Sequence, residues 1–259
     1  MRRIFEWIGG FALIAFSFYF TDKVSLLVAS KSELMQEIEA VSSIYETKPE
    51  NAKIDKKEST IVPGRFGRTV NSQESYLEMH DFGTFNENYL VFDYIKPENS
   101  LEDNKDKFIT SGNPTFRRIS LVVDNPDIAK YLDGKNIPYN VILDKFSSVP
   151  SNVEVINGGK DKSTFKEIDS KVKNSAKICH KERSQIDLCK KNGYYLIETK
   201  LVLMQSNLIE IKNSASSGSI ILISSGAKLE DVKHFLNEIE YKDLEIVKIS
   251  KLISEKESA

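Results

Sequence analysis

Ile119-Ser120-Leu121-Val122-Val123-Asp124-Asn125 is the stretch that decides the fold of this chain of 259 residues. An unbroken run of apolar and small residues, rich in β-branched side chains, ends abruptly in two polar residues. This pattern is typical of a strand that is buried on both faces, as in a parallel sheet. Further runs of this kind are found at residues 139–143, 153–156, 176–179, 194–203, 219–223 and, more weakly, 244–249.

Segments with helical spacing separate these runs. The clearest covers residues 229–241, where apolar side chains recur three and four residues apart. The others cover residues 127–135, 164–173, 184–192 and, less clearly, 205–213. Strands that alternate with helices predict an α/β fold, here a small or incomplete (β/α) barrel of about seven parallel strands. A doubly wound open sheet is the alternative, and in both folds ligands bind where the strands end.

The strand ends carry four short motifs. They are SLVVDN at residues 120–125, EVINGGKDK at 154–162, AKICHKER at 176–183 followed by KKNGY at 190–194, and GSIILIS at 218–224. In this order they resemble the T-F-D-D-G, E-x-G-N-H-x-x-x-H, R-x-P-x-G with K-x-x-G-Y, and G-x-I-x-L-x-H motifs of the polysaccharide deacetylase (NodB-homology) family. The resemblance covers about residues 114–252, slightly over half of the chain.

This resemblance implies a site in which the first aspartate is the general base. The second aspartate and the two histidines hold a divalent metal that polarises a carbonyl and activates water. Asp124 keeps the base position, but Asn125, Gly158 and Lys162 occupy the three ligand positions, and Ser224 replaces the late histidine. Glycine offers no ligand atom, and a protonated lysine has no free lone pair.

The histidines of the chain offer no replacement ligands. There are three, His80, His180 and His234, and none belongs to an H-x-x-x-H or H-E-x-x-H motif. His180 adjoins Cys179, but adjacent residues on a strand point to opposite faces, so they cannot form a nucleophile–base pair. We therefore expect no catalytic residue, no metal and no other cofactor, with Asp124 as a vestigial base.

Two functional classes follow from this interpretation. The favoured one is a catalytically inactive, membrane-anchored protein whose deacetylase-like groove binds cell-wall glycan or an envelope protein. The alternative is an active carbohydrate deacetylase with an atypical or absent metal site, and a weaker third option is a scaffold that interacts through residues 59–113. The polar side chains expected to line the groove are Asp124, Asn125, Asn157, Lys162, Glu182, Arg183 and Ser224.

The amino-terminal residues 1–29 resemble a membrane anchor. Residues 4–20 are almost entirely apolar, and apolar character resumes at residues 24–29. Arg2 and Arg3 precede this stretch, so the positive-inside rule places the amino terminus in the cytoplasm and the rest outside. A cleaved signal peptide is the alternative, although Val28-Ala29-Ser30 is a poor cleavage site.

Residues 30–113 precede the deacetylase-like domain, which we expect at 114–259. Residues 30–58 are predicted to form a helical stalk followed by a polar linker. The helix is indicated by apolar side chains at Leu34, Ile38, Val41 and Tyr45. The alternative is that this helix lies on the folded domain. The repeat is too short to favour a parallel dimer. Residues 59–113 predict a small β-rich region, whose I-V-P-G and S-G-N-P motifs resemble membrane-proximal segments of some low-GC Gram-positive bacteria.

Charge and cysteine content limit the remaining classes. The net charge is −2 with lysines and glutamates interspersed, so no basic patch indicates a nucleic-acid partner. Cys179 and Cys189 lie ten residues apart, from the end of a predicted strand to the following helix. The favoured interpretation is two reduced, buried thiols, and a disulfide is the alternative in an oxidising compartment.

Overall fold

The computed structural model describes residues 16–17, 30–150 and 152–256, which fall into two units. The smaller unit contains the described residues up to Pro49 together with Gly67–Ile95, and the larger contains Glu50–Phe66 and the chain from Lys96 on. The predicted region 59–113 is therefore divided, since residues 59–66 and 96–113 belong to the larger unit. The predicted membrane segment 1–29 lies outside the described residues, apart from residues 16 and 17. No helix within the described ranges is long and apolar enough to span a membrane.

The regular elements are numbered in chain order. The strands are β1 Lys53–Asp55, β2 Thr60–Val62, β3 Gly67–Val70, β4 Phe92–Ile95, β5 Phe108–Ile109, β6 Arg118–Val123, β7 Tyr139–Leu143, β8 Val153–Asn157, β9 Ile178–His180, β10 Tyr195–Ile197, β11 Leu201–Leu203, β12 Ile220–Ile223 and β13 Glu245–Ile246. The helices are α1 Glu33–Tyr45, α2 Ser72–Met79, α3 Pro126–Gly134, α4 Lys162–Lys171, α5 Ile186–Lys191, α6 Leu208–Ser214, α7 Leu229–Tyr241 and α8 Ile249–Leu252. Short 3₁₀ turns occur at Glu87–Tyr89, Glu102–Asn104 and Pro114–Phe116.

The smaller unit is built from α1, α2 and the antiparallel pair β3–β4. Helix α1 begins after Ser32, whose hydroxyl oxygen accepts a hydrogen bond from the Met35 amide at 3.1 Å. Leu34 and Ile38 of α1 are buried in one cluster with Met79 and Leu90. The predicted apolar stripe of α1 therefore packs against the other elements of the smaller unit.

The larger unit contains two sheets that are parallel except for the β1–β2 pair. One has the order β11-β12-β6-β7-β8, with β13 beside the start of β6, and the other has the order β1-β2-β5-β10-β9. Isolated bridges link them, in parallel between Val155 and Ser175 and antiparallel between Ser111 and Ser219. Followed through these bridges, the pairing passes around seven strands, in the order β12, β6, β7, β8, β9, β10 and β5. The predicted α/β fold with parallel strands is confirmed.

Two features of this pairing differ from the prediction. The apolar run 194–203 forms two strands, β10 and β11, in different sheets. The polar residues Glu198, Thr199 and Lys200 lie between them, and the Glu198 carboxylate accepts a hydrogen bond from the Lys181 ammonium at 2.9 Å. The second difference is that β5, which precedes the predicted domain, pairs with both β2 and β10.

Strand β6 is buried on both faces, as its sequence predicts. Ile119, Leu121 and Val123 pack in a core with residues of α3, α6 and α7, whereas Val122 belongs to a second core shared with the other sheet. Ile142 of β7 and Ile109 of β5 are also in that second core. Helices thus cover the outer face of the six-stranded sheet, and aliphatic side chains from both sheets fill the space within.

A buried amide joins β6, β7 and α8. Asn140 is completely buried, and its Nδ2 donates to the Ser120 hydroxyl and the Leu121 carbonyl, both at 2.7 Å. Its Oδ1 accepts from the Ile249 amide at 3.0 Å. A buried amide whose donor and acceptor groups are all used imposes one register on its neighbours, because an unsatisfied group would cost roughly 1–3 kcal/mol. Asn140 therefore fixes where β6 ends relative to β7.

Cys179 and Cys189 form a disulfide, so the favoured interpretation of two reduced thiols was wrong. The Cα atoms lie 6.3 Å apart, within the range that a disulfide spans. Both residues are completely buried, in a cluster with Phe165, Tyr194 and Leu196. The bond closes the loop between β9 and α5, which carries Glu182 and Arg183.

Replacing both cysteines by serine should lower the free energy of unfolding by roughly 2–4 kcal/mol, because the unfolded chain loses a constraint. Urea titration of the parent protein and of the double variant measures this difference. Reducing agent should destabilise the parent but not the variant. Two titratable thiols in the denatured, unreduced parent would contradict the disulfide.

Candidate functional site

The carboxyl ends of β6, β7 and β9 bring together three charged side chains. Asp124 follows β6, Asp144 follows β7, and Arg183 lies in the turn after β9. The Arg183 Nη1 donates a hydrogen bond to Asp124 Oδ2 at 2.8 Å, and its Nη2 lies 3.7 Å from Asp144 Oδ2. Parallel strands end at the same edge of a sheet, which explains how residues 59 positions apart in sequence meet. The base position of the deacetylase motif is thus paired with a guanidinium.

The turn after β9 holds Arg183 in this position. The His180 carbonyl accepts hydrogen bonds from the amides of Arg183 and Ser184, at 3.2 and 2.9 Å. The Ser184 hydroxyl donates to the Asn157 carbonyl at 2.6 Å and accepts from the His180 amide at 2.8 Å. These bonds tie the turn to the end of β8.

Arg183 is firmly cationic. Partial burial by itself lowers the pKa of Arg183, but the hydrogen bond and the charge of Asp124, with a smaller contribution from Asp144, raise it above its usual value. About a third of the Arg183 side chain and a fifth of Asp124 are exposed. The pair is therefore partly accessible to a ligand that enters from the strand ends.

Asn125 does not line the groove with a free side chain. Its Oδ1 accepts hydrogen bonds from the amides of Asp127 and Ile128, so it caps α3. Its Nδ2 donates to the carbonyls of Ser225 and Ala227, at 2.9 and 3.3 Å. The amide that replaces a metal-binding aspartate is thus used to hold two strand-end loops together.

Asn157 and Gly158 are structural as well. Asn157 is completely buried, with its Nδ2 donating to the Phe165 carbonyl and its Oδ1 accepting from the Gly159 amide, both at 3.0 Å. A Cβ at Gly158 would lie 2.8 Å from Ile142 Cγ2 and from Asp144 Oδ1. The expectation that Asn157 lines the groove was wrong, because its polar atoms are satisfied inside the fold.

The other predicted groove residues remain at or near the surface. Lys162 is exposed in the first turn of α4, and Glu182 is exposed in the turn after β9. Ser224 is half-buried after β12, where its amide donates to the Leu203 carbonyl. Of the predicted set, the structure joins Asp124 directly to Arg183 and leaves Lys162 and Glu182 exposed.

Two residues near this site were not predicted. Asp144 directly follows a predicted strand, and its place at a strand end was the signal that could have identified it. His180 is almost fully buried, its Nδ1 accepts from the Glu182 amide at 3.3 Å, and its Nε2 lies 2.8 Å from the Thr199 hydroxyl. Because Nδ1 accepts, Nε2 carries the proton and donates to Thr199. Burial lowers the pKa of His180.

The residues at this edge do not fit a divalent metal. Asn125 uses its oxygen as a helix cap, Gly158 has no ligand atom, and a guanidinium occupies the Asp124 carboxylate. Within the part of the chain that the structure describes, no group of three or more His, Cys, Asp or Glu side chains could hold a metal ion.

Comparison with known proteins supports the resemblance in fold. No protein-family model matches this chain. Over 98 residues it is 37% identical to YlxY, an uncharacterized protein of Bacillus subtilis (strain 168); the match covers 38% of this chain and 30% of YlxY. The chain thus spans less than a third of the length of this curated relative.

The solved structures cover much more of the chain. The wild-type BA3943 protein of Bacillus anthracis, a CE4 family pseudoenzyme, matches with a TM-score of 0.61 and 19% identity, over 88% of this chain and 97% of that one. A BA3943 mutant with restored enzymatic activity matches with a TM-score of 0.58 and 18% identity, over 87% and 99% of the two chains. The fold resembles that of the CE4 polysaccharide deacetylases. The sequence motifs predicted a fold of this kind, and that prediction is confirmed.

The burial of His180 predicts a pH dependence of stability. The pKa of His180 in the folded protein lies below its usual 6.5, so the unfolded chain takes up this proton more readily. Stability should therefore fall as the pH drops below 6.5, by at most about 1.4 kcal/mol per pH unit for this one group. Urea titrations between about pH 7.5 and 5 should show a steeper loss in the parent than in His180→Asn. Equal slopes would contradict a buried neutral imidazole.

Proposed function

We propose that this protein is a catalytically inactive, deacetylase-like protein of the cell envelope that binds envelope glycan or an envelope protein partner. The observation that carries the proposal is the Arg183–Asp124 ion pair at the position of the general base. The Asp124 carboxylate at this position already accepts a hydrogen bond from the Arg183 guanidinium, at 2.8 Å. Among the described residues, no group of three or more His, Cys, Asp or Glu side chains that could hold a metal ion includes this carboxylate.

The ligand positions support inactivity for a second reason. A deacetylase of this type needs a metal to polarise the acetyl carbonyl and to activate water. Asn125 and Gly158 have acquired structural roles that restoring a single ligand would disturb. The BA3943 pseudoenzyme, which shares this fold, shows that a CE4 fold can exist without its activity.

The proposed location rests on two further observations. The Cys179–Cys189 disulfide suits an oxidising compartment, because thiols are kept reduced in the cytosol. Arg2 and Arg3 before the apolar residues 4–20 suit a single-pass anchor with a cytoplasmic amino terminus. Both support a protein held at the outer face of the cell membrane, within reach of the cell wall.

The accessible charges at the strand ends would provide the binding groove. Arg183 and Glu182 lie in the turn after β9, and Asp144 follows β7 beside Arg183. With Lys162 in the first turn of α4, these residues supply two cations and two carboxylates. Sugar hydroxyls and acetamido groups are bound by such donors and acceptors, and hydrogen bonds to charged groups are stronger than those between neutral groups.

The first test is catalytic. The purified protein should release no acetate from acetylated chitooligosaccharides or from peptidoglycan, with or without added zinc or cobalt. The variant Asn125→Asp, Gly158→His, Lys162→His restores the motif in sequence, but a side chain at 158 must displace Ile142 or Asp144. Unfolding should show this variant to be about 1–3 kcal/mol less stable than the parent. Metal-dependent acetate release by the parent would contradict the proposal.

The second test concerns the groove. The double variant Lys162→Ala, Arg183→Ala should bind isolated cell wall more weakly in a pull-down, with a loss of roughly 2–4 kcal/mol if both charges contact the ligand. Lys190→Ala with Lys191→Ala removes the same charge from exposed positions at the end of α5 and is the matched control. Equal retention of the two double variants would show that the groove is not the binding surface.

A further inference from the structure

A cavity lies at the amino ends of β9 and β10, away from the site around Arg183. It has a volume of about 320 Å³, and Ala176 and Tyr195, which line it, lie at the amino ends of β9 and β10. Arg183, in contrast, follows the carboxyl end of β9. The remaining lining residues are Phe66, Leu101, Glu102, Ser250, Ile253, Ser254, Glu255 and Lys256.

A buried carboxylate fixes one wall of this cavity. Glu255 accepts hydrogen bonds from the amides of Gly64 and Leu101 through its two carboxylate oxygens, at 2.8 and 2.9 Å. Its own carbonyl accepts from the Phe66 amide at 2.8 Å. Three segments that are distant in sequence are thus joined by one residue, so Phe66 and Leu101 are positioned before any ligand arrives.

A second set of hydrogen bonds fixes the facing aromatic ring. The Tyr195 hydroxyl donates to Glu102 Oε2 at 2.6 Å, and the Lys105 ammonium lies 2.5 Å from Glu102 Oε1. The Lys105 ammonium is also 5.1 Å from the centre of the Tyr195 ring. The Lys256 ammonium lies 5.8 Å from the centre of the Phe66 ring. The cavity therefore has two aromatic side chains, Phe66 and Tyr195, each with a lysine ammonium over its ring.

The charges around this cavity balance. Glu102 and Glu255 are matched by Lys105 and Lys256, so the cavity does not favour a ligand of either sign. The buried aliphatic residues Leu101 and Ile253 line the cavity, together with Ser250 and Ser254. A neutral molecule with an apolar face and several hydroxyl groups fits this combination, since the face can lie on an aromatic ring while the hydroxyls meet Glu102 and the serines.

We propose that this cavity binds one pyranose ring of a neutral saccharide. The proposal rests on the proposed glycan binding and moves the point of contact to the amino ends of the strands. Tyr195 and Phe66 supply the aromatic surfaces, and Glu102 accepts a hydrogen bond from a sugar hydroxyl. The cavity is large enough for one or two sugar units but not for a longer stretch of saccharide. A longer saccharide chain would therefore insert one ring and leave the others outside.

Calorimetric titration of the purified protein with chitotetraose tests this proposal. Tyr195→Ala should weaken binding about tenfold or more, because the aromatic surface against which the sugar ring packs is lost. Tyr195→Phe keeps the ring and should change the affinity by no more than about threefold. Tyr241→Ala removes an aromatic side chain that is 87% exposed at the end of α7, and it should bind as the parent does.

The remaining outcomes separate this proposal from the groove proposal. If Tyr195→Ala fails to fold, the same titration is made with Phe66→Ala, which should also bind chitotetraose more weakly. Phe66 lies outside the strands, so this change leaves strand pairing intact. Binding that survives both changes but is lost in Lys162→Ala, Arg183→Ala overturns the cavity proposal and supports the groove. No chitotetraose binding by the parent also overturns it, and retention on isolated cell wall then shows whether the proposed function stands through another surface.

Discussion

The ion pair between Arg183 and Asp124 determines what the strand-end site can do. It joins the end of β6 to the turn after β9, although β6 and β9 belong to different sheets. Partly exposed pairs of this kind contribute roughly 0–1 kcal/mol to stability, so the pair is not what holds the fold together. The ion pair matters for the chemistry of the site. The Arg183 guanidinium contacts Asp124, the position of a general base, and its positive charge would repel a metal ion bound there.

The neighbouring positions show how a catalytic edge can become a structural one. Asn125 caps α3 and holds the loop after β12, and a cap of this type is worth about 1 kcal/mol. Asn157 has no exposed surface, and Gly158 lets the end of β8 approach the end of β7. Each residue found in place of a ligand, except the exposed Lys162, is engaged within the fold. Reversing these changes would disturb packing as well as add ligands.

Much of the fold could be predicted from local sequence pattern. Strands β6, β7, β8 and β12 and helix α7 have strong periodicity and definite ends, and the structure has them where they were predicted. The division of residues 194–203 into two strands, the pairing of β5 with β10 and the split of residues 59–113 between two units depend on long-range contacts. Periodicity cannot show such contacts, because it reports only which face of a segment is buried.

The site was predictable to the extent that strand ends define it. Asp124 and Arg183 were both expected in the groove, but their pairing, the cap formed by Asn125 and the burial of Asn157 follow from side-chain geometry that motif matching does not contain. The disulfide is a similar case. The sequence spacing of Cys179 and Cys189 allowed both reduced thiols and a disulfide, and only the distance between their Cα atoms shows that a disulfide can form.

Equilibrium dialysis of the purified protein against zinc tests the central claim most directly, because a family member with its ligands in place would take up one ion per chain. We expect no saturable binding of zinc, and no difference in zinc uptake between the parent and Asp124→Asn. One equivalent of zinc that is bound by the parent and lost in Asp124→Asn would contradict it.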